Sequence, residues 1–491
     1  MPMTFGEAML SIIKKRKLSA TAIAEDLGFK SRTAFFRILH DESRIPAIKR
    51  CYEAAEGSSL LSLDENEKAL LRESIHVSEL GKKEYGISSV LHQMVYPAVP
   101  IPDDEITFSI EGAGEYDTLE KLLLQMKGMK TATIVILGRC SKRLMDRLYR
   151  LTKEAPIRKI VHLFALDEDS VEDIKVFSEM SNILFSDAYS VYFLNETGAS
   201  QKFWWLRSGI ILFSFEENDG RKRAFQLSWL GEDGYLFSEE SQPKLKGYWN
   251  CMIRNIRDQM VSFKLEAESD SRPDIQQYID FTRHYQKLEQ NREIYTIRPD
   301  FPMNCIPVEI LAPPVIDAFA QLCPEGADDF KNRISMLYDI HKSRVDNLFN
   351  KRKATHIILN VEAMKQFAVT GSRSDHFFST RPYTPEERVK TLTILRDQAL
   401  NNPNFNIWMT DHPEIVSDRE LTIYEGYGVA LVKGDTSWRL DHDHQEVMLE
   451  SKMLAQHFKS YFMRSVIASA VMTKEESIAL LDQMIDIAKQ S

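Results

Sequence analysis

At 491 residues the chain is too long for one hydrophobic core, and about three domains are expected. Hydrophobic residues at 43% and charged residues at 27% are the balance of a soluble globular protein, and no run approaches the roughly 18 apolar residues that span a membrane. The net charge of −10 is unevenly spread: residues 1–50 hold ten Lys/Arg and five Asp/Glu, +5, which leaves −15 on the remainder. A basic segment on an acidic body is the electrostatic footprint of a nucleic-acid-binding head.

The N-terminus lacks the basic-then-apolar shape of a signal peptide, and a cytoplasmic protein is expected. Five cysteines (Cys51, Cys140, Cys251, Cys305, Cys323) are scattered and odd in number. They match no metal spacing and no disulfide framework, so reduced, mostly buried thiols are expected.

Residues 4–55 are the most informative. Ser19 to Leu39 reads as two short helices joined by a turn at Gly28, a residue free to take the positive φ that ends a helix. Ala24 is small enough for a close helix crossing, and Ser31 suits an N-cap. On the second helix Phe35, Ile38 and Leu39 fall three and four apart and form one buried stripe. Arg32, Thr33, Phe36 and Arg37 are left on or near the outer face.

This layout resembles the Cro/repressor-type helix-turn-helix regulators, the XRE family. The resemblance extends over roughly the first 55 to 80 residues, through the basic cluster Lys14 to Lys17 that closes the first helix and the segment Ala47 to Ala55 in the place of a fourth helix. It implies that the second helix lies in the major groove of double-stranded DNA. The expected DNA-contacting set is Lys30, Ser31, Arg32, Thr33, Phe36 and Arg37, with Lys14, Lys15 and Lys17 on backbone phosphates. The turn is one residue longer than the family usually has, or Ala34 replaces Phe35 in the buried stripe. The same stretch would also suit a three-helix packing unit that touches no nucleic acid, and the charge tilts the balance toward DNA.

Beyond this head, Asp64 and Glu67 form a capping box that starts a helix running toward Leu80. Three prolines between Val95 and Pro102 mark an extended linker. His92 and Tyr96 beside it are expected on a helix surface without partners. From about Ile106 strands and helices alternate. A helix is expected over 116–127, a strand over 131–137, a helix over 141–154, a strand over 159–165, a helix over 171–180 and a strand over 189–194. That rhythm predicts a mostly parallel sheet. Ligands bind beyond the carboxyl ends of such strands, here Gly138 to Ser141 and Asp167 to Asp169. The Gly138 loop lacks the further glycines and the lysine–hydroxyl pair of a phosphate cradle.

An aromatic-rich antiparallel hairpin follows over 208–230, then helices over 248–264 and 275–290. Five prolines between Pro299 and Pro314 divide the body. The second part repeats the texture: helix 317–352, strand 355–361, helix to Val369, helix 386–401, strand 405–409, hairpin 421–433, and helices 444–471 and 474–489. No sequence identity supports a true repeat.

Two clusters invite chemistry. Asp441 to His444 offers alternating Asp and His, without a metal-protease spacing. The loop Arg373 to Arg381 is the better candidate for ligand binding, through Arg373, Asp375, His376 and Arg381, with a satisfied polar loop as the alternative. Two α/β lobes would also suit a phospholipase-D-like nuclease, yet no His-x-Lys-x4-Asp pair occurs, and no Gly-x-Ser-x-Gly elbow.

The expectation is a multidomain protein. An all-α helix-turn-helix domain (1–80) and a linker (81–104) precede a large two-lobed α/β body (105–298, with its antiparallel hairpin, and 299–491, with C-terminal helices). It would act as a sequence-specific, homodimeric DNA-binding transcriptional regulator whose body senses a small-molecule or peptide effector. No catalytic residue, metal or cofactor is expected. The alternatives are a DNA-tethered enzyme or effector acting on nucleotides or nucleic acid, and a protein–protein assembly module of a stress or defence system.

Overall fold

The computed structural model describes residues 2–95, 128–138, 140, 142–166, 177, 180–186, 188–195, 210–231, 234–239, 258–264, 275–311, 327–350, 352–372, 382–412, 415, 419–433 and 445–491. The proline linker from Tyr96 onward, helix 116–127, most of helix 171–180 with Asp167 to Asp169, the loop holding Arg373, Asp375, His376 and Arg381, and the Asp441 to His444 cluster lie outside the described residues. The chain forms two compact units, Met1–Val90 and Leu91–Ser491.

The first unit is all-helical: α1 (Phe5–Lys15), α2 (Ala20–Asp26), α3 (Arg32–Leu39), α4 (Ile45–Glu56) and α5 (Glu65–Leu80). Capping boxes start α1 at Thr4 with Glu7 and α5 at Asp64 with Glu67, each meeting two otherwise orphaned backbone donors. Phe5, Ala8, Met9 and Ile12 of α1 pack on Ile23, Ala24, Phe35, Ile38 and Leu39. Gly81 ends α5 at φ +82°, and α6 (Lys82–Val95) begins at once. The segment 81–95, expected as linker, is therefore helical.

The second unit is built on one sheet of 13 strands among the described residues. In chain order these are β1 (Thr131–Leu137), α7 (Lys142–Glu154), β2 (Ile157–Leu166), β3 (Tyr189–Asn195), β4 (Ile210–Glu216), β5 (Lys222–Gly231), β6 (Gly234–Glu239) and β7 (Asp258–Lys264). Then follow α8 (Ile275–Glu289), β8 (Ile294–Arg298), α9 (Ala327–Leu348), β9 (Thr355–Asn360), α10 (Val361–Thr370), α11 (Pro385–Asn401), β10 (Phe405–Thr410), β11 (Arg419–Tyr424), β12 (Gly428–Lys433) and β13 (Gln445–Glu450). The chain ends in α12 (Lys452–Tyr461), a π-turn (Phe462–Val466), α13 (Ile467–Ala470) and α14 (Lys474–Gln490).

The strand order is β10-β9-β8-β11-β12-β13-β7-β3-β2-β1-β4-β5-β6. It contains one pattern twice. In β3-β2-β1-β4-β5-β6 the first three strands in sequence lie parallel, and the next three add antiparallel on the side of the first. The set β10-β9-β8-β11-β12-β13 does the same. The body is thus a topological duplication, with β7 paired antiparallel to β13 and β3 between the halves.

Three local expectations change. Residues 258–264 form a strand, not the end of a helix, because neighbours on both sides supply the hydrogen bonds that the segment's own sequence does not specify. Gln445–Glu450 is likewise a strand, although Glu, Met and Leu favour helix. The second half begins before Pro299: β8 pairs with β9 and β11, and Phe301, Cys305, Ile306 and Ile310 belong to its core.

That core lies on one face of β9 and β10, where Ile357, Leu359, Phe405, Ile407 and Met409 meet Met364 and Phe367 of α10, Leu392 and Leu395 of α11, and Leu481 and Met484 of α14. The outer edge of β10 is partly covered: the Met472 amide donates to the Met409 carbonyl (2.9 Å), and the Met409 amide to the Ser477 hydroxyl (3.0 Å). α12 packs on β11 and β12. Of Ala455, Phe458, Tyr461, Phe462 and Ile467, an apolar face expected for packing or dimerisation, the first four are buried within this unit and Ile467 is partly buried. His92, expected to be unpartnered, meets the Tyr461 hydroxyl through Nδ1 at 2.9 Å. Among the described residues no helix is long and apolar enough to cross a membrane.

Candidate nucleic-acid interface

α3 is held from two sides. Phe35, Ile38 and Leu39 are buried on it, and Ala34 is exposed, so Phe35 and not Ala34 takes the first place in the stripe. Gly6 of α1 lies against the end of α3: a Cβ there would come within 2.4 Å of the Leu39 carbonyl oxygen. Asp41, just past α3, accepts from the Thr4 hydroxyl and from the Gly6 amide (3.2 Å). These contacts fix the axis of α3 relative to α1.

The opposite arc of α3 faces solvent. At about 100° per residue, Thr33 sits near its centre with Phe36 and Arg37 beside it, and Arg32 at its rim. All four are exposed, as are Lys30 and Ser31. Phe36 is 39% exposed, a large apolar side chain left in water. α3 carries Arg32 and Arg37 and no carboxylate. Ser31 stands at the N-cap but makes no side-chain capping bond, which leaves its hydroxyl at the positive end of the helix.

The cations differ in how firmly they are held. Arg32 pairs with Glu25 of α2 at 3.0 Å, with both side chains 65% exposed. Such a pair is worth about 1 kcal/mol or less and gives way to a stronger anion. Lys15 and Arg16 both bind Glu67 of α5. Burial opposes ionisation of Glu67, but the hydrogen bonds from Arg16 and Lys15 outweigh it and hold the carboxyl below its ordinary range. Lys15 is thus tied to Glu67 while its side chain stays 69% exposed, whereas Lys14 and Lys17 form no ion pair among the described residues. Lys14, Lys17, Lys30, Arg37, Arg44 and Arg50 form no ion pair among the described residues. Arg44 and Arg50 count among the ten cations of the basic segment but not among the residues expected to contact DNA, and the tie between Lys15 and Glu67, 52 residues apart, is not legible in the sequence.

The body holds one largely buried cluster of charged and polar groups. Thr296 and Arg298 of β8 and Glu420, Thr422 and Tyr424 of β11 alternate onto one face, beside Glu446 of β13. Tyr285 and Glu289 of α8 and Arg344 of α9 join them. Arg344 grips Glu289 through three N–H···O contacts of 2.6, 2.9 and 3.1 Å. Arg298 pairs with Glu420, whose carboxyl burial raises against the pull of Arg298. The Tyr285 hydroxyl donates to Glu446, and burial pushes that carboxyl well above its ordinary range.

The carboxylates in this cluster are each engaged by arginine or tyrosine, which suits docking α8 and α9 in one register on the sheet. In the other half His162 is fully buried, its Nε2–H donating to the Gly138 carbonyl and its Nδ1 facing the Tyr189 hydroxyl, both at 2.7 Å. Gly138 adopts φ +81° at the end of β1. Among the described residues no group of three or more His, Cys, Asp or Glu is placed to hold a metal ion.

No family model matches the chain, and no curated protein matches it. Among solved structures, a phosphatidylserine synthase of Haemophilus influenzae Rd KW20 is similar at 10% identity and TM-score 0.25, covering 77% of this chain and 90% of that one. A polyphosphate kinase from Porphyromonas gingivalis is similar at 10% identity and TM-score 0.19, covering 68% of this chain and 45% of that one. At these scores neither likeness bears on fold or activity.

Proposed function

We propose that the chain is a sequence-specific DNA-binding regulator in which the exposed arc of α3 enters the major groove. The observation that carries this reading is the arc itself. Arg32, Thr33, Phe36 and Arg37 stand together on a helix without a carboxylate, braced from behind by Phe35, Ile38 and the close approach of Gly6. Lys30, Lys14 and Lys17, with Arg44 and Arg50, neutralise backbone phosphates. The first unit carries 14 Lys/Arg and 13 Asp/Glu, so its basicity is confined to residues 1–50, and the second unit carries −11. The second unit is left to sense an effector, through the loop bearing Arg373, Asp375, His376 and Arg381, and to hold a homodimer that places two heads on a palindrome.

The test is selection of bound fragments from sheared genomic DNA of the source organism at about physiological salt, where non-specific binding is suppressed. The intact chain and an Arg32→Ala/Arg37→Ala variant would be compared. Recovery of a few palindromic sites by the intact chain alone is expected. Equal recovery of random fragments by both would refute the assignment of α3.

A further inference from the structure

We propose that Phe36 reads the 5-methyl group of a thymine, a role that rests on the DNA-binding reading above. Phe36 is 39% exposed in a unit that buries its other phenylalanines more deeply: Phe5 and Phe35 are at 0%, and Phe29 is partly buried and packs on Phe35 with ring centroids 5.2 Å apart and planes tilted by 50°. Nothing in the unit's packing requires an aromatic ring at this position. Its neighbours on the arc are Arg32, four residues before it, Thr33, three before, and Arg37, with Lys30 at the helix entrance.

An apolar ring framed by three cations and no carboxylate on its own helix is complementary to a surface that is anionic at its rims and apolar at one point inside. The major groove of duplex DNA is such a surface. Phosphates line it, and the thymine methyl is the one apolar group on its floor. Arginines beside the ring then meet guanine edges or phosphates, while the ring covers the methyl. An apolar protein partner would not call for the surrounding cations.

Thymine and uracil pair identically and differ only in that methyl, so the experiment isolates the contact. A duplex selected by the full-length protein from a random pool is remade with each thymine replaced in turn by deoxyuridine. Binding of the wild type, Phe36→Ala and Thr33→Ser is measured on each duplex, with far-UV circular dichroism to show that the variants keep their helices. At one position deoxyuridine is expected to weaken the wild type about fourfold, the effect of one buried methyl. Phe36→Ala is expected to bind both duplexes equally, and Thr33→Ser to keep the discrimination.

If every replacement is silent, or if Phe36→Ala retains the discrimination, the role of Phe36 is overturned while DNA binding stands. Loss of discrimination in Thr33→Ser alone would move the role to the Thr33 methyl and equally overturn it. Failure to select any duplex over a scrambled control would overturn the DNA-binding reading and this role with it.

Discussion

The Glu289–Arg344 pair predicts a measurable coupling in the body. The Glu289 side chain is 4% exposed and that of Arg344 12%, and three N–H···O contacts join them. Glu289→Met removes the carboxylate that Arg344 grips, and Arg344→Met removes the guanidinium that meets the Glu289 carboxylate. Each is expected to cost about 3–5 kcal/mol, the penalty of an uncompensated buried charge. The double variant removes both charges and keeps side chains of useful length. It is expected near the wild type or above it, because ionic attraction in such a site roughly offsets desolvation. The coupling energy of the cycle, the cost of the double less that of the two singles, is then about 6 kcal/mol or more in magnitude. All six tryptophans lie beyond residue 90, so their fluorescence during urea unfolding at pH 7 reports the second unit. The reasoning is refuted if either single variant stays within about 1 kcal/mol of the wild type, or if the double is no more stable than the worse single.

Two further predictions concern pH and backbone. Burial lowers His162 from 6.5 to about 4 in the folded chain, so only the unfolded chain takes up its proton in between. Its contribution is full above about pH 6.5 and is lost as pH falls toward 4, about 2 kcal/mol of it by pH 5; urea midpoints of wild type and His162→Phe should show this extra slope in the wild type alone, and parallel slopes would contradict it. Gly371 and Gly426 both have positive φ, +67° and +70°, but a Cβ at Gly371 would meet the Tyr383 carbonyl oxygen at 2.1 Å and one at Gly426 meets nothing within 4 Å. Gly426→Ala should therefore cost about 1 kcal/mol of backbone strain, and Gly371→Ala clearly more, by calorimetry or urea unfolding; equal losses would show that the close approach to Tyr383 does not matter.

What could be read from the sequence was local. The stripe Phe35, Ile38, Leu39, the capping box at Asp64 and Glu67 and the strands at 131–137 and 355–360 each carry their period or cap within a few residues. What could not be read depends on distant partners. β7 is paired by β3 and by β13, which lie on either side of it in the chain and far away. β13 has helix-favouring residues and becomes a strand because β12 and β7 flank it. The duplication of the body shows in the sequence only as the recurring texture of helices, strands and a hairpin, while the strand order that defines it is set by pairings between distant segments. Glu420, Thr422 and Tyr424, polar at every second position of β11, look in sequence like the wet face of a sheet. The structure buries that face under α8 and α9.

The same residue types therefore serve opposite ends in the two units, and their partners reveal which. In the body Arg298 and Arg344 are largely buried and each is met by a carboxylate, so neither is available to a polyanion. In the first unit Glu67 and Glu79 take up Lys15, Arg16 and Lys49, while Glu25 holds Arg32 only at an exposed site. Residues 51–90 carry eight Asp/Glu against four Lys/Arg, and their carboxylates thus neutralise part of the basic segment internally. The cations left over, Lys14, Lys17, Lys30, Arg37, Arg44 and Arg50, outnumber those the helix pattern alone singles out for bases. Affinity drawn from them would be strongly salt-dependent and blind to sequence. Specificity would then have to come from the few side chains on the α3 arc that can touch base edges, Thr33 and Phe36 among them, and this is why removing charge and removing the ring should have separable effects on binding.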